Sequence, residues 1–175
     1  TIEAPEEATE DAQMQQPSYQ EMEKCLLEQC HATLDVLPGQ IAEQLRSLTG
    51  AGACAFSRYD PVSRTLTTEA FASDKLFAGM ILNVLGKSVI GLRTPVAPDL
   101  FASMVGARIS TMATLSEVTE GSIPLAAARI LQAMMGMDRF IGLSILVDGE
   151  VYGTAMICMK NGTPVPDPEM LCFFS

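Results

Sequence analysis

Apolar residues recur at helical intervals along the first third of the chain. Met22, Leu26, Cys30, Leu34, Leu37, Ile41, Leu45 and Leu48 follow one another at steps of four, four, four, three, four, four and three. Such steps stack side chains along one helix face. Pro38 interrupts the stripe, because its ring disfavours helical geometry at Leu37 and removes one backbone donor. The pattern predicts a kink there, or two helices with Pro38 in the first turn of the second, closing at Thr49-Gly50. Residues 1–17 are rich in Glu, Gln, Ala and Pro and carry almost no large apolar side chain. That is the composition of a disordered acidic linker. The expected organisation is linker over 1–17, an N-terminal signalling helix over 18–37, and a folded domain over 38–175 whose last helix is cut short.

Beyond residue 50 the period changes. Ala53–Tyr59 and Thr65–Phe71 are β-rich runs flanking Asp60-Pro61-Val62-Ser63-Arg64, a segment with turn chemistry, and predict an antiparallel hairpin. Residues 74–85 read as a short helix capped by Ser73 or Asp74. Ser88–Val96 suits an edge strand with Pro95 near its end. Residues 97–137 read as short helices and loops, the clearest helix being Leu125–Met135 with its stop at Gly136. Phe140–Val147 and Val151–Met159 are apolar on both faces and are joined by Asp148-Gly149, the preferred dipeptide of a type I′ hairpin. Asp167 then caps a helix with Pro168 in its first position. The order of elements predicts an α+β domain, an antiparallel sheet covered by helices on both faces.

Charge and cysteine usage narrow the setting. Of the 21 acidic residues ten lie in the first fifty positions, against only Lys24 and Arg46, so the body is nearly neutral and most of the net charge of −10 belongs to the arm. No basic stripe with interleaved aromatics offers itself to nucleic acid. No apolar run approaches the roughly 18 residues of a membrane span. Five cysteines without paired spacing suit reduced thiols in a cytoplasmic protein. The chain opens at Thr1 and reads as a piece of a longer protein.

From Leu34 to the C-terminus the chain resembles the GAF family. The lead-in Ile41-Ala42-Glu43-Gln44-Leu45 through Leu48-Thr49-Gly50-Ala51 is followed by Cys54-Ala55-Phe56-Ser57-Arg58-Tyr59-Asp60. The most specific stretch is Leu143-Ser144-Ile145-Leu146-Val147-Asp148-Gly149-Glu150-Val151-Tyr152-Gly153-Thr154, and the Asp167-Pro168-Glu169 helix start is similar to the family's as well. PAS and roadblock-type domains share the general architecture. The resemblance implies a GAF-like (PAS-like) central antiparallel sheet of about six strands, with a pocket between the sheet and the middle segment. It also implies a sensory module of a signalling protein, in this family often a histidine kinase of a two-component system.

Ligand signatures of the family are mostly missing. The cyclic-nucleotide pattern departs at the reversed Lys160-Asn161 and at Val165, and the only Cys-His pair, Cys30-His31, precedes the sheet, unlike that of bilin-binding members. Cys25-x4-Cys30-His31 is a poor haem anchor, since helical residues five apart lie about 140° apart. Gly86-Lys87-Ser88 lacks the earlier glycine of a phosphate-binding loop, having Ile81 there. Glu117 and Glu120 sit in a polar loop rather than an acid pair, and one histidine leaves no triad. No metal signature appears, and the cofactor is left unassigned.

The expectation is a module without turnover of its own. Its pocket walls are Phe56, Phe71, Met112, Leu115, Met134, Phe140, Met156 and Cys158, chosen as apolar residues near the family's pocket-forming segments. Its methionines could serve as adaptable pocket wall or as plain core filler. The stripe Met22, Leu26, Cys30 and Leu34 is expected to pair with a second copy. Two alternatives stay open: a dimerisation domain with a filled pocket, and a thiol-dependent redox enzyme of the same fold.

Overall fold

The computed structural model describes residues 37–172 and 174. All of them fall within one compact unit, Thr33–Ser175. The expected linker and the dimer stripe Met22, Leu26, Cys30 and Leu34 lie outside the described residues.

Helix α1 (Leu37–Thr49) carries Pro38 in its first turn and buries Ala42, Leu45 and Thr49. Strands β1 (Ala53–Asp60) and β2 (Thr65–Ser73) form the expected hairpin. Its loop is held by the Asp60 carboxylate, which accepts from the Val62 N–H and the Ser63 hydroxyl. The Ser63 bond is the main reason that the pKa of Asp60 lies below its ordinary value. Helix α2 (Lys75–Leu85) starts at Asp74, whose side chain accepts from the Phe77 N–H at 2.9 Å. Next come β3 (Arg93–Pro95), α3 (Pro98–Gly106), β4 (Ile109–Met112), α4 (Leu115–Thr119) and α5 (Leu125–Met135). The long hairpin β5 (Met137–Val147) and β6 (Glu150–Lys160) precedes α6 (Pro168–Cys172).

The sheet has six strands in the order β3-β2-β1-β6-β5-β4, each pair antiparallel. At the β5–β6 turn Asp148 and Gly149 take φ of 53° and 82°, as a two-residue primed turn requires. Two expectations need correcting. The edge strand expected over Ser88–Val96 shrinks to three residues. The segment 97–137, expected as helices and loops, contains the second edge strand β4. Three half-buried residues and the exposed Thr111, Ile-Ser-Thr-Met in order, are too short and too polar a run to show an alternation.

Two large cores sandwich the sheet, and a smaller cluster of Leu66, Val96 and Met104 lies beside them. On one face α1 and α6 cover Cys54, Phe56, Ile141, Leu143, Ala155, Ile157 and Met159. On the other, α2 and α5 cover Ala53, Phe140 and Cys158 with Phe77, Ile81, Ala128, Leu131 and Met135. Truncating a fully buried ring such as Phe56 or Phe140 costs about 3–5 kcal/mol. The Arg58–Glu69 ion pair, about one-third exposed on each side, contributes less than about 1 kcal/mol. Burial, not charge pairing, therefore holds the fold. No helix among the described residues is long and apolar enough to cross a membrane.

Candidate ligand-binding cavity

The α2–α5 side of the sheet is not filled completely. A cavity of about 170 Å³ lies there. Strand periodicity decides which side chains reach it. In β1 the odd positions Ala53, Ala55 and Ser57 line the cavity, while Cys54 and Phe56 face the α1 core. In β6 Thr154, Met156 and Cys158 line it, and Ala155 and Ile157 face away. The β2 strand keeps step through a bulge: Phe56 pairs with Ala70 and Ser57 with Thr68, leaving Glu69 as the extra residue. Glu69 then accepts from Arg58 Nε at 2.7 Å, and Arg58 Nη1 donates to the Tyr152 hydroxyl at 2.7 Å.

Registers across the sheet sort the floor into levels. Thr68, Ser57, Thr154 and Ser144 are successive partners on β2, β1, β6 and β5, and all four line the cavity. They form one row of hydroxyls. The Ser57 and Thr68 hydroxyls lie 3.2 Å apart. The next level holds Phe71, Ala55, Met156, Gly142 and Ser110, the next again Ala53, Cys158, Phe140 and Met112. Polarity thus falls away from the row. At Gly142 an added Cβ would stand 2.7 Å from Ser110 Oγ, 3.4 Å from Met112 Cε and 3.5 Å from Met156 Cε. The place of a side chain is thus already taken by its neighbours, and Gly142 lines the cavity with backbone.

The roof comes from the middle segment. Leu115, Val118 and Thr119 of α4, Ile123, and Leu131 and Met135 of α5 contribute to it. Gln132 ties α5 to the start of α4: its Nε2 donates to the Ala113 carbonyl at 2.9 Å, and its Oε1 accepts from the Leu115 N–H at 3.0 Å. Thr119 is 6% exposed, and its Oγ1 has no hydrogen-bond partner among the described residues. The charged lining residues Arg108, Glu117 and Glu120 are exposed and mark the rim.

Of the eight expected wall residues, Phe71, Met112, Leu115, Met156 and Cys158 line the cavity. Phe56 does not: it lies one position out of step and packs under α1 against Tyr152. Met134 is 52% exposed, because α5 turns Ala128, Leu131 and Met135 inward. Phe140 is fully buried in the same core, between Met112 and Cys158 in the register, but does not line the space. The hydroxyl row, Gly142 and Thr119 were missed. Their signal was present as Ser144 and Thr154 inside otherwise apolar strands, and a search for apolar walls passes over it.

The thiols are poorly placed for chemistry. Burial pushes the Cys158 thiol up to about 12 and that of Cys54 higher still. These two lie on opposite faces of adjacent strands, and Cys172 is exposed. Among the described residues no cluster of His, Cys, Asp or Glu could hold a metal ion.

No protein-family model matches the sequence, and no curated protein matches it. Solved structures do. The chromophore-binding domain of wild-type Stigmatella aurantiaca phytochrome P1 superposes with a TM-score of 0.54 at 18% identity, over 82% of this chain and 52% of that one. The chain thus spans about half the length of that relative. The phycocyanobilin-bound GAF domain of a cyanobacterial phytochrome matches with a TM-score of 0.57 at 15% identity, covering 86% and 82%. The phycoerythrobilin-bound GAF domain of a cyanobacterial phytochrome reaches 0.61 at 13% identity, covering 90% and 89%. With the strand order and the helices on both faces, these likenesses show that the chain has the GAF-domain fold.

Proposed function

We propose that this chain is a ligand-sensing regulatory module of a signal-transduction protein, without catalytic turnover of its own. The observation that carries this reading is the cavity of about 170 Å³ between the sheet and α4–α5. Solved neighbours of the same fold hold bilins, which supports a small-molecule role for this domain. A bilin itself suits this cavity badly. Pockets for drug-sized ligands run to about 300–1,000 Å³, and the chain's single histidine, His31, precedes the sheet. The open space argues against a domain that only dimerises around a filled core, and buried neutral thiols argue against redox chemistry.

Signal transfer follows from the sheet. Ala55 and Ser57 face the cavity while Cys54 and Phe56 of the same strand carry α1. A ligand that shifts β1 therefore biases the position of α1, provided it binds two arrangements unequally. In this proposal α1 continues into an upstream helix that pairs with a second copy through Met22, Leu26, Cys30 and Leu34. The output is a cytoplasmic histidine kinase that such a dimer sets side by side.

Two experiments test this. A small-molecule panel should raise the melting temperature of the wild type, and Gly142→Leu, which pushes a side chain past Ser110 into the cavity, should abolish that response. Equal responses in both would remove the cavity from the function. The mass in solution should be that of a dimer and should fall to a monomer in Leu26→Glu/Leu34→Glu. A monomeric wild type ends the dimer proposal.

A further inference from the structure

The cavity's two kinds of lining specify a chemistry. We propose that it takes a compact, uncharged aromatic molecule carrying one hydrogen-bonding head, bound without a covalent link. The head lies on the row Thr68–Ser57–Thr154–Ser144 and the ring lies over Gly142. This inference rests on the ligand-sensing reading above.

Size sets the first limit. A cavity of about 150 Å³ holds benzene, so 170 Å³ suits a single substituted ring. Lining sets the second. Beside the row, the floor is the backbone of Gly142 flanked by Met156, Met112 and Phe71, and thioethers and ring edges favour aromatic contact. Charge sets the third. The row offers only neutral hydroxyls, and the charged lining residues stand exposed at the rim. An ionised head buried on the row would lose its water, and the cation nearest the row, Arg108 beside Ser144 at its outer end, is exposed and screened by solvent. The need for a head comes from the roof as well as the floor. The Thr119 hydroxyl is buried, lines the cavity and has no partner among the described residues. Such a group calls for a polar atom, supplied by a ligand or by a water beside it. Finally, the Cys158 thiol stands two residues along β6 from Met156, within the same lining. It is held neutral by burial, so it contributes a soft apolar wall rather than a nucleophile.

Three probes of similar shape separate these demands: p-cresol, p-xylene and p-toluate, titrated against the full chain by calorimetry or ligand-observed NMR. The wild type should bind p-cresol about three- to tenfold more tightly than p-xylene, as one good hydrogen bond allows, and p-toluate most weakly. In Thr119→Val/Thr154→Val that ratio should fall to near one while p-xylene affinity is kept. Gly142→Leu should lose all three. Equal affinities in the wild type, tightest binding of p-toluate, or an unchanged ratio in the double variant overturns the proposed chemistry and leaves the cavity as a binding site. If none of the three binds the wild type, the proposal falls. The melting-temperature panel then decides separately whether the cavity binds anything.

Discussion

Thr119 shows most directly, at the level of single residues, how this domain trades stability for a site. A buried hydroxyl without a partner costs about 1–3 kcal/mol. Its Oγ1 is in that position at the end of α4. Thr119→Val keeps the branched shape and removes the orphaned atom. The variant should gain about 1 kcal/mol of unfolding free energy in urea titrations of the ligand-free protein. A loss of stability would mean that the hydroxyl is already satisfied and that the roof has no vacancy for a polar head. Sites that sacrifice stability in this way are where stabilising substitutions cost function.

Among the elements, legibility followed the strength of the local signal. The β5–β6 hairpin could be read because Asp148-Gly149 matches a demanding turn and both flanking runs are apolar. α2 and α6 could be read because Asp74 and Asp167 accept from backbone N–H groups at their starts. β4 could not, since an edge strand of four residues is defined by its partner β5 rather than by its own pattern. The cavity was half legible for a related reason. Its apolar walls Phe71, Met112, Leu115, Met156 and Cys158 are hydrophobic residues in recognisable elements. Its hydroxyl row exists only once four strands are in register, and the bulge at Glu69 is what places Thr68 on that level. The misplaced Phe56 is the other side of this dependence: a shift of one position exchanges the two faces of a strand. Close packing locks the faces in place. At Gly153 a Cβ would stand 2.5 Å from the Ser57 carbonyl oxygen and 2.9 Å from Phe56 Cζ, so β6 passes β1 with no room for a side chain.

Across the described unit, the sheet puts one buried thiol in each of its two cores: Cys54 under α1 and Cys158 under the α2–α5 side. This makes the stability of the whole unit depend on alkaline pH. Both thiols have an ordinary value of 9.0. Folding raises Cys158 to about 12, by burial. It raises Cys54 further, through burial first, then the charges of Cys158 and Glu43, with Arg46 opposing. The direction follows from proton linkage. Below pH 9 both states keep their thiol protons, and the thiols contribute no pH dependence. Between pH 9 and about 12 the unfolded chain releases protons that the native state retains. The unfolded state is therefore favoured as pH rises, by at most about 1.4 kcal/mol per pH unit for each thiol. Denaturant titrations should show unfolding free energy falling above pH 9. Cys54→Ala/Cys158→Ala should be less stable at neutral pH, because two side chains leave gaps, yet show a shallower decline above pH 9. All other titratable groups are common to both proteins and cancel from the difference in slope. Parallel slopes would mean that the thiols ionise as readily in the folded domain as in the unfolded chain. The Cys158 face of the cavity would then be open to water, and a neutral aromatic guest would lose the dry wall it rests on.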